Sequence, residues 1–344
     1  MRLLVVGGAG FIGSHMVKLL LTAGHNVLVF DNLSSGHHSS LLGGDFVQGD
    51  LADPSALNNL FEDHRFDAVF QFASSIEVGE SLKNPAKYYR NNFSNTQNLM
   101  DAMVRHHVKR LVFSSTAAIF GEPAYTPIDE DHDCRPVNPY GASKLMVEQA
   151  LKHYDHAYDF KSICLRYFNA AGADPMGEIG ECHEPETHLI PLLLQVASGR
   201  RDHIKVFGRD YETPDGTCIR DYVHVQDLCY AHLLGLDYLI ASGKSNAYNL
   251  GNGRGFSVQE VIATVERITG QKIKTEDAPR RAGDPTRLVA NSAKAAAILG
   301  WKPGYAELDT IVARAWAWEK KLTASAPLVR PACPTWPKVL SWCD

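Results

Sequence analysis

The stretch from Arg2 to Asp31 constrains this chain more than any other. Leu3-Leu4-Val5-Val6 is a short apolar run of the kind that forms a strand buried on both faces. Gly7, Gly8, Gly10 and Gly13 follow at once, and then Met16, Val17, Leu20 and Leu21 recur at helical spacing as far as Gly24. Val27-Leu28-Val29-Phe30 reads as a second strand that ends on Asp31. Strand, glycine turn, helix, strand and acid in this order form a dinucleotide-binding unit. Its glycines allow a tight turn and a close approach of backbone to a pyrophosphate. Gly7, Gly10, Phe11, Ile12 and Gly13 would hold that group on the free N–H groups of the helix N-terminus. Asp31 would accept hydrogen bonds from the adenosine ribose hydroxyls and repel a 2′-phosphate. Asn32, Leu33, Ser34 and Ser35 supply no arginine to receive that phosphate. NAD is therefore expected over NADP.

The remaining chain continues the alternation. Apolar runs at 68–73, 111–113 and 162–165 read as strands, and patterned stretches at 55–64, 85–107 and 139–156 as helices. The expected fold is α/β, a doubly wound parallel Rossmann sheet with a smaller C-terminal α/β substrate domain. Residues 1–170, with about 216–252, would form the NAD half. Residues 171–215 and 253–320 would form the substrate half, followed by a Pro/Trp-rich tail over 321–344. Asp227 is the expected N-cap of one late helix, and Ser257 with Glu260 the capping box of another.

At 344 residues the chain is long enough for two such units. A net charge of −5 gives no sign of nucleic-acid or anionic-membrane binding. The longest apolar runs are too short to span a bilayer, and Met1-Arg2-Leu3 leads straight into the strand without room for a signal peptide. Seven cysteines without Cys-x-x-Cys spacing suit a reducing, cytoplasmic setting.

Tyr140-Gly-Ala-Ser-Lys144 is the second signal. Residues four apart share a helix face, so the expectation is an ammonium beside the phenol. A tyrosine with an ordinary pKa of about 10 is a poor base at neutral pH. A neighbouring Lys⁺ and a cationic nicotinamide ring would lower that value.

From these motifs the chain is similar to the extended short-chain dehydrogenase/reductases and, among them, to the UDP-glucose 4-epimerases. The likeness spans residues 1 to about 318. It rests on the glycine turn, Asp31-Asn32-Leu33, Val78-Gly79-Glu80-Ser81, Tyr88-Tyr89-Arg90-Asn91-Asn92 and Tyr140-x-x-x-Lys144. It continues in Leu165-Arg166-Tyr167-Phe168-Asn169, Gly216-Thr217-Cys218-Ile219-Arg220-Asp221-Tyr222 and Pro279-Arg280-Arg281-Ala282-Gly283-Asp284.

The resemblance implies that Tyr140 is the acid–base group on the sugar 4-hydroxyl and that Thr116 hydrogen-bonds the same oxygen. It makes Lys144 the residue that orients the nicotinamide ribose. Asn32, Asp50, Leu51, Phe72, Ala73, Asn91, Ser114 and Tyr167 fall at NAD-contacting positions, as Tyr140 and Lys144 do. Asn169, His188, Leu189, Phe207, Arg220 and Arg281 fall where uridine diphosphate is held, with Asp284 on the uridine side. Leu288 falls against the substituent on carbon 2 of the sugar.

The implied substrate is a UDP-hexose, and the implied assembly a homodimer through a four-helix bundle built on 85–107 and 139–156. UDP-xylose, UDP-arabinose and UDP-N-acetylhexosamines are alternative substrates, and an NAD-sensing regulator without turnover is the rival of another class. Two departures stand out: Ile76 replaces a lysine found near the pyrophosphate in some members, and His188 an asparagine near the sugar phosphates. No metal is expected, because His183 and His188 are five apart with Pro185 between them and cannot share a helical face.

Overall fold

The computed structural model describes residues 1–281 and 283–324, so the expected tail over 325–344 lies outside the described residues. The first half runs β1 (Arg2–Val6), α1 (Phe11–Thr22), β2 (Asn26–Asp31), β3 (Asp45–Gln48), α2 (Pro54–Asp63) and β4 (Ala68–Gln71). It continues through α3 (Val78–Lys83), α4 (Pro85–Tyr88), α5 (Asn95–Arg105), β5 (Arg110–Thr116), α6 (Pro139–Tyr158), β6 (Lys161–Tyr167) and β7 (Asn169–Ala171). The second half holds α7 (Leu189–Ala197), β8 (Ile204–Phe207), β9 (Ile219–His224), α8 (Val225–Ser242) and β10 (Asn246–Leu250). It closes with β11 (Gly255–Ser257), α9 (Val258–Thr269), β12 (Thr275–Ala278), β13 (Arg287–Leu288), α10 (Ala293–Leu299) and α11 (Leu308–Ala324).

Seven parallel strands form the main sheet in the order β10-β6-β5-β4-β1-β2-β3. The apolar run of β1 is explained by this position. Leu3 and Val5 point into one core with Met16, Leu20 and Leu228, while Leu4 and Val6 point into the other with Leu60, Met103 and Leu151. Side chains alternate across a strand, so a strand covered by helices on both sides must be apolar throughout. The strand order reverses between β1 and β4, and a ligand crevice opens there at the carboxyl ends.

A smaller sheet is organised around β9, which pairs with β7, β11 and β13, while β8 pairs with β12. A third core, with Leu193, Ile262, Val265, Ile311 and Val312, joins these strands to α7, α9 and α11. The chain returns to the large sheet through α8 and β10. Residues 219–224, expected in the NAD half, instead make the central strand of the smaller sheet.

Three local expectations change. The helix over 85–107 divides into α4, a wide π turn at Tyr89–Ser94, and α5. That turn aims Asn92 at the Ser75 carbonyl (3.0 Å) and the Ser143 hydroxyl (3.1 Å). Asp227 does not cap α8: the helix starts directly off β9, and the Nδ1 of His224 accepts from the Gln226 N–H instead. Asp227 accepts from the N–H groups of Gly304 and Tyr305, at 2.8 and 2.9 Å. Residues 321–324, expected to begin the tail, complete α11. The Ser257–Glu260 capping box is present as expected.

Candidate active site

A cleft of about 1180 Å³ runs between the carboxyl ends of the large sheet and the smaller sheet. Its cofactor end is built by the turn after β1. Gly7 has φ +77°, and a Cβ there would sit 2.4 Å from the Ala73 nitrogen. A Cβ at Gly13 would sit 2.1 Å from the Gly7 carbonyl oxygen. Only glycine fits either place. The first turn of α1 carries neither a capping side chain nor an acid, which leaves its N–H groups available to an anion. Asp31 is buried and accepts from Ala9 N–H at 2.9 Å and Leu33 N–H at 2.8 Å, one bond to each carboxylate oxygen. Each oxygen keeps acceptor capacity for a ribose hydroxyl. Asn32 donates to Asp50 at 2.8 Å, so these two expected contacts form one unit. The cradle fits NAD.

The reactive end lies on β5 and α6. Asn138 caps α6 by accepting from Gly141 N–H at 2.9 Å, with Pro139 in the first turn. This fixes the helix so that Tyr140 faces the cleft and its hydroxyl is hydrogen-bonded to Thr116 at the end of β5. Burial raises the Tyr140 pKa, and the Thr116 bond only partly offsets it. Lys144 follows Tyr140 on α6 and is buried. Its ammonium donates to the Ser114 carbonyl, 2.9 Å away, and sits 4.9 Å from the Phe113 ring. Burial pushes its own pKa down to about 7.

Of the residues expected from the sequence, all line this cleft except Ser114, which lies beneath it. The substrate end holds Asn169, His188, Leu189, Phe207, Asp284 and Leu288. Arg220 lies on β9, 3.5 Å from Asp284. The Arg281 guanidinium stacks 4.0 Å over the Phe207 ring. Ile76 lines the cleft, where it offers no charge to a pyrophosphate.

Two supporting residues, His232 and Ser75, had no signal of their own in the sequence. His232 on α8 donates from Nδ1 to the Leu228 carbonyl at 2.8 Å, so Nε2 accepts from the Ser114 hydroxyl at 3.3 Å. Burial lowers its pKa to about 4 and keeps it neutral. Asn91 donates to the Ser75 hydroxyl at 3.0 Å, and the Tyr88 ring meets the Tyr140 ring edge-on at 6.5 Å. Glu148 was detectable: it follows Lys144 by four residues on the same helix face. It is buried, pairs with Arg166 at 2.7 Å and accepts from the Ser115 hydroxyl. The pair locks α6 to β5 and β6 beneath the reactive side chains.

Residues 3–251 match the family model described as NAD dependent epimerase/dehydratase family. The chain belongs to this family. A UDP-glucose 4-epimerase of Halalkalibacterium halodurans is 51% identical over 321 residues, covering 93% of this chain and 96% of that one. A crystal structure of UDP-glucose 4-epimerase from Brucella ovis in complex with NAD superposes with a TM-score of 0.89 at 50% identity, covering 92% of this chain and 97% of the other. The Bifidobacterium longum UDP-glucose 4-epimerase in complex with NAD⁺ and UDP gives 0.89 at 36% identity, over 93% and 98%. The epimerase/dehydratase match spans both the cofactor turn and the Tyr140–Lys144 helix. The whole-chain likenesses extend it through Arg281 and Leu288.

Proposed function

We propose that this chain is a UDP-glucose 4-epimerase that holds NAD on the β1–α1 turn and interconverts UDP-galactose and UDP-glucose. The observation that carries the reading is one cleft with the Tyr140–Thr116 pair on one wall and Arg220 and Arg281 on the other. Planar guanidinium groups match diphosphate oxygens bidentately, so the arginine side holds the nucleotide. Tyr140 takes the proton of the sugar 4-hydroxyl and later returns it, with Thr116 hydrogen-bonded to the same centre. Bound NAD supplies reversible removal and return of hydride at carbon 4 and, when oxidised, a positive charge that favours the phenolate. Anchoring the diphosphate while leaving the sugar ring free lets the 4-keto sugar turn its other face to the cofactor. The acid–base group finishes each cycle in its starting protonation state, and no outside redox partner is consumed.

The Rossmann half, as we assign it, holds the cofactor, and the smaller sheet with α7, α9 and α11 the nucleotide. We also infer a homodimer in which α5 and α6 of each copy form a four-helix bundle. Tyr89 and Tyr158, exposed at 39% and 51%, support that face. Among the described residues no helix is long and apolar enough to cross a membrane, and we place the enzyme in the cytoplasm. The test is direct: protein purified without added NAD, offered UDP-galactose, forms UDP-glucose. Accumulation of free reduced cofactor in place of UDP-glucose would overturn the assignment.

A further inference from the structure

The loop between β7 and α7 collects four potential metal ligands that the proposed reaction does not use as a set. Glu181, His183, Glu186 and His188 each offer one ligand atom, and these atoms lie within 4.8 Å of one another. On a helix, His183 and His188 could not share a face. The segment is a loop that folds back on itself before α7, so five residues and a proline no longer separate the two imidazoles.

Two features point to a cation at this place. The Glu181 and Glu186 side chains are only 5% and 4% exposed, and among the described residues no lysine or arginine pairs with either. Beside these two buried carboxylates the positive groups are the imidazoles of the same cluster, and Glu186 also accepts from the N–H groups of Thr187 and His188. The His183 Nδ1 is buried and has no hydrogen-bond partner, although Glu181 Oε1 lies 3.2 Å away, off the line of the ring N–H. Glu186 lies farther off and faces the two rings with different oxygens: His183 Nδ1 to Glu186 Oε2 is 3.9 Å, and His188 Nδ1 to Glu186 Oε1 is 3.8 Å. The His188 Nδ1 also meets Glu181 Oε1. A tetrahedral ion with bonds of about 2.0–2.1 Å sets its ligand atoms roughly 3.3–3.4 Å apart. The His183 Nδ1 to Glu181 Oε1 contact matches that spacing, and the set of four as a whole, within 4.8 Å, is wider.

We propose that Glu181, His183, Glu186 and His188 form a binding site for a divalent transition-metal ion of the zinc class. Two imidazole nitrogens and two carboxylate oxygens suit zinc and its neighbours better than magnesium or calcium, which take oxygen ligands. The ion joins parts of the molecule that are distant in sequence. The His183 ring meets Phe11 at the start of α1, at 6.5 Å, and Trp318 on α11 donates to the Glu181 carbonyl at 2.9 Å. Fixing this loop sets the wall of the cleft from which α7 begins.

The experiment uses the full chain, treated with chelator, desalted and titrated with zinc chloride. One zinc per chain is expected to remain after gel filtration and to raise Tm, and one equivalent of cobalt(II) is expected to give the saturable visible absorption of a tetrahedral site. His183→Ala and Glu186→Gln should each weaken zinc retention at least tenfold. Absence of retained zinc and of saturable cobalt absorption in the wild-type protein would overturn the proposal. Equal retention by the folded His183→Ala/Glu186→Gln double variant would do the same.

Discussion

Lys144 donates to the main-chain carbonyl of Ser114 at 2.9 Å, and among the described residues no carboxylate pairs with it. Burial alone sets its proton affinity, which falls to about 7. In the unfolded chain the same lysine has its ordinary value of about 10.4. Between those values the unfolded state binds more protons than the folded one, so stability rises with pH through that window. The cofactor-free protein should therefore gain stability relative to Lys144→Met between pH 7 and pH 9, by up to about 1.4 kcal/mol per pH unit. Paired thermal denaturation curves at the two pH values test this, and a constant difference would contradict it.

Tyr140 is partnered by Thr116, and the two substitutions should differ in severity. Tyr140→Phe should lower kcat by about 10²–10⁴-fold while UDP still binds, as expected for loss of a general acid–base. Thr116→Val should act in the same direction by a smaller factor, because the base remains. Turnover near the wild-type rate in Tyr140→Phe would assign the proton transfer to another group.

Arg281 stacks on Phe207 at the nucleotide end. Arg281→Ala should weaken UDP binding about 10–100-fold, in line with about 1.5–3 kcal/mol for a charge-assisted hydrogen bond. Bound NAD should be unchanged. Calorimetric titration with UDP, alongside cofactor content by absorbance, separates the two ends of the cleft.

The glycine turn, β1, α1 and β2 were legible in the sequence because each local pattern has one economical structural solution. Tyr140 and Lys144 were legible as neighbours on a helix face. The Lys144 bond to the Ser114 carbonyl was not, since spacing says nothing of how far a long side chain reaches. His232, Ser75 and the Glu181–His188 group were hidden for a different reason. Each gains its role from residues brought near by tertiary packing or by an irregular loop, where no periodicity applies. Asp227 shows the same limit: an acid at a helix start reads as a cap, yet it binds Gly304 and Tyr305.

Asp221 on β9 accepts from the N–H groups of Asn252, Gly253 and Ala290, at 2.8, 3.0 and 3.1 Å. An amide has one acceptor oxygen and would turn its NH₂ toward N–H donors. Asp221→Asn should therefore destabilise the protein by about 1–3 kcal/mol, the cost of buried donors left without a partner. A lowered Tm with retained NAD is expected, and an unchanged Tm would show that the three bonds contribute little.

Leu288 lines the cleft and pairs with Arg220 across β13 and β9, so its side chain bears on sugar range. A mismatch of a methylene or two in an apolar pocket is worth only about 1–3 kcal/mol. UDP-glucose and UDP-galactose should be preferred, with N-acetyl forms slow but measurable. Leu288→Tyr should abolish the minor activity and Leu288→Ser should raise it. A ratio of kcat/KM values unmoved by both changes would place the gate elsewhere.

In the proposed cycle hydride leaves carbon 4 and returns to the same sugar while Tyr140 exchanges only the hydroxyl proton. UDP-galactose carrying deuterium at carbon 4 tests it most directly, with the product examined by NMR and mass spectrometry in ordinary water. The expected product is UDP-glucose that keeps its deuterium at carbon 4. Loss of the label to solvent, or its appearance in free reduced cofactor, would contradict it.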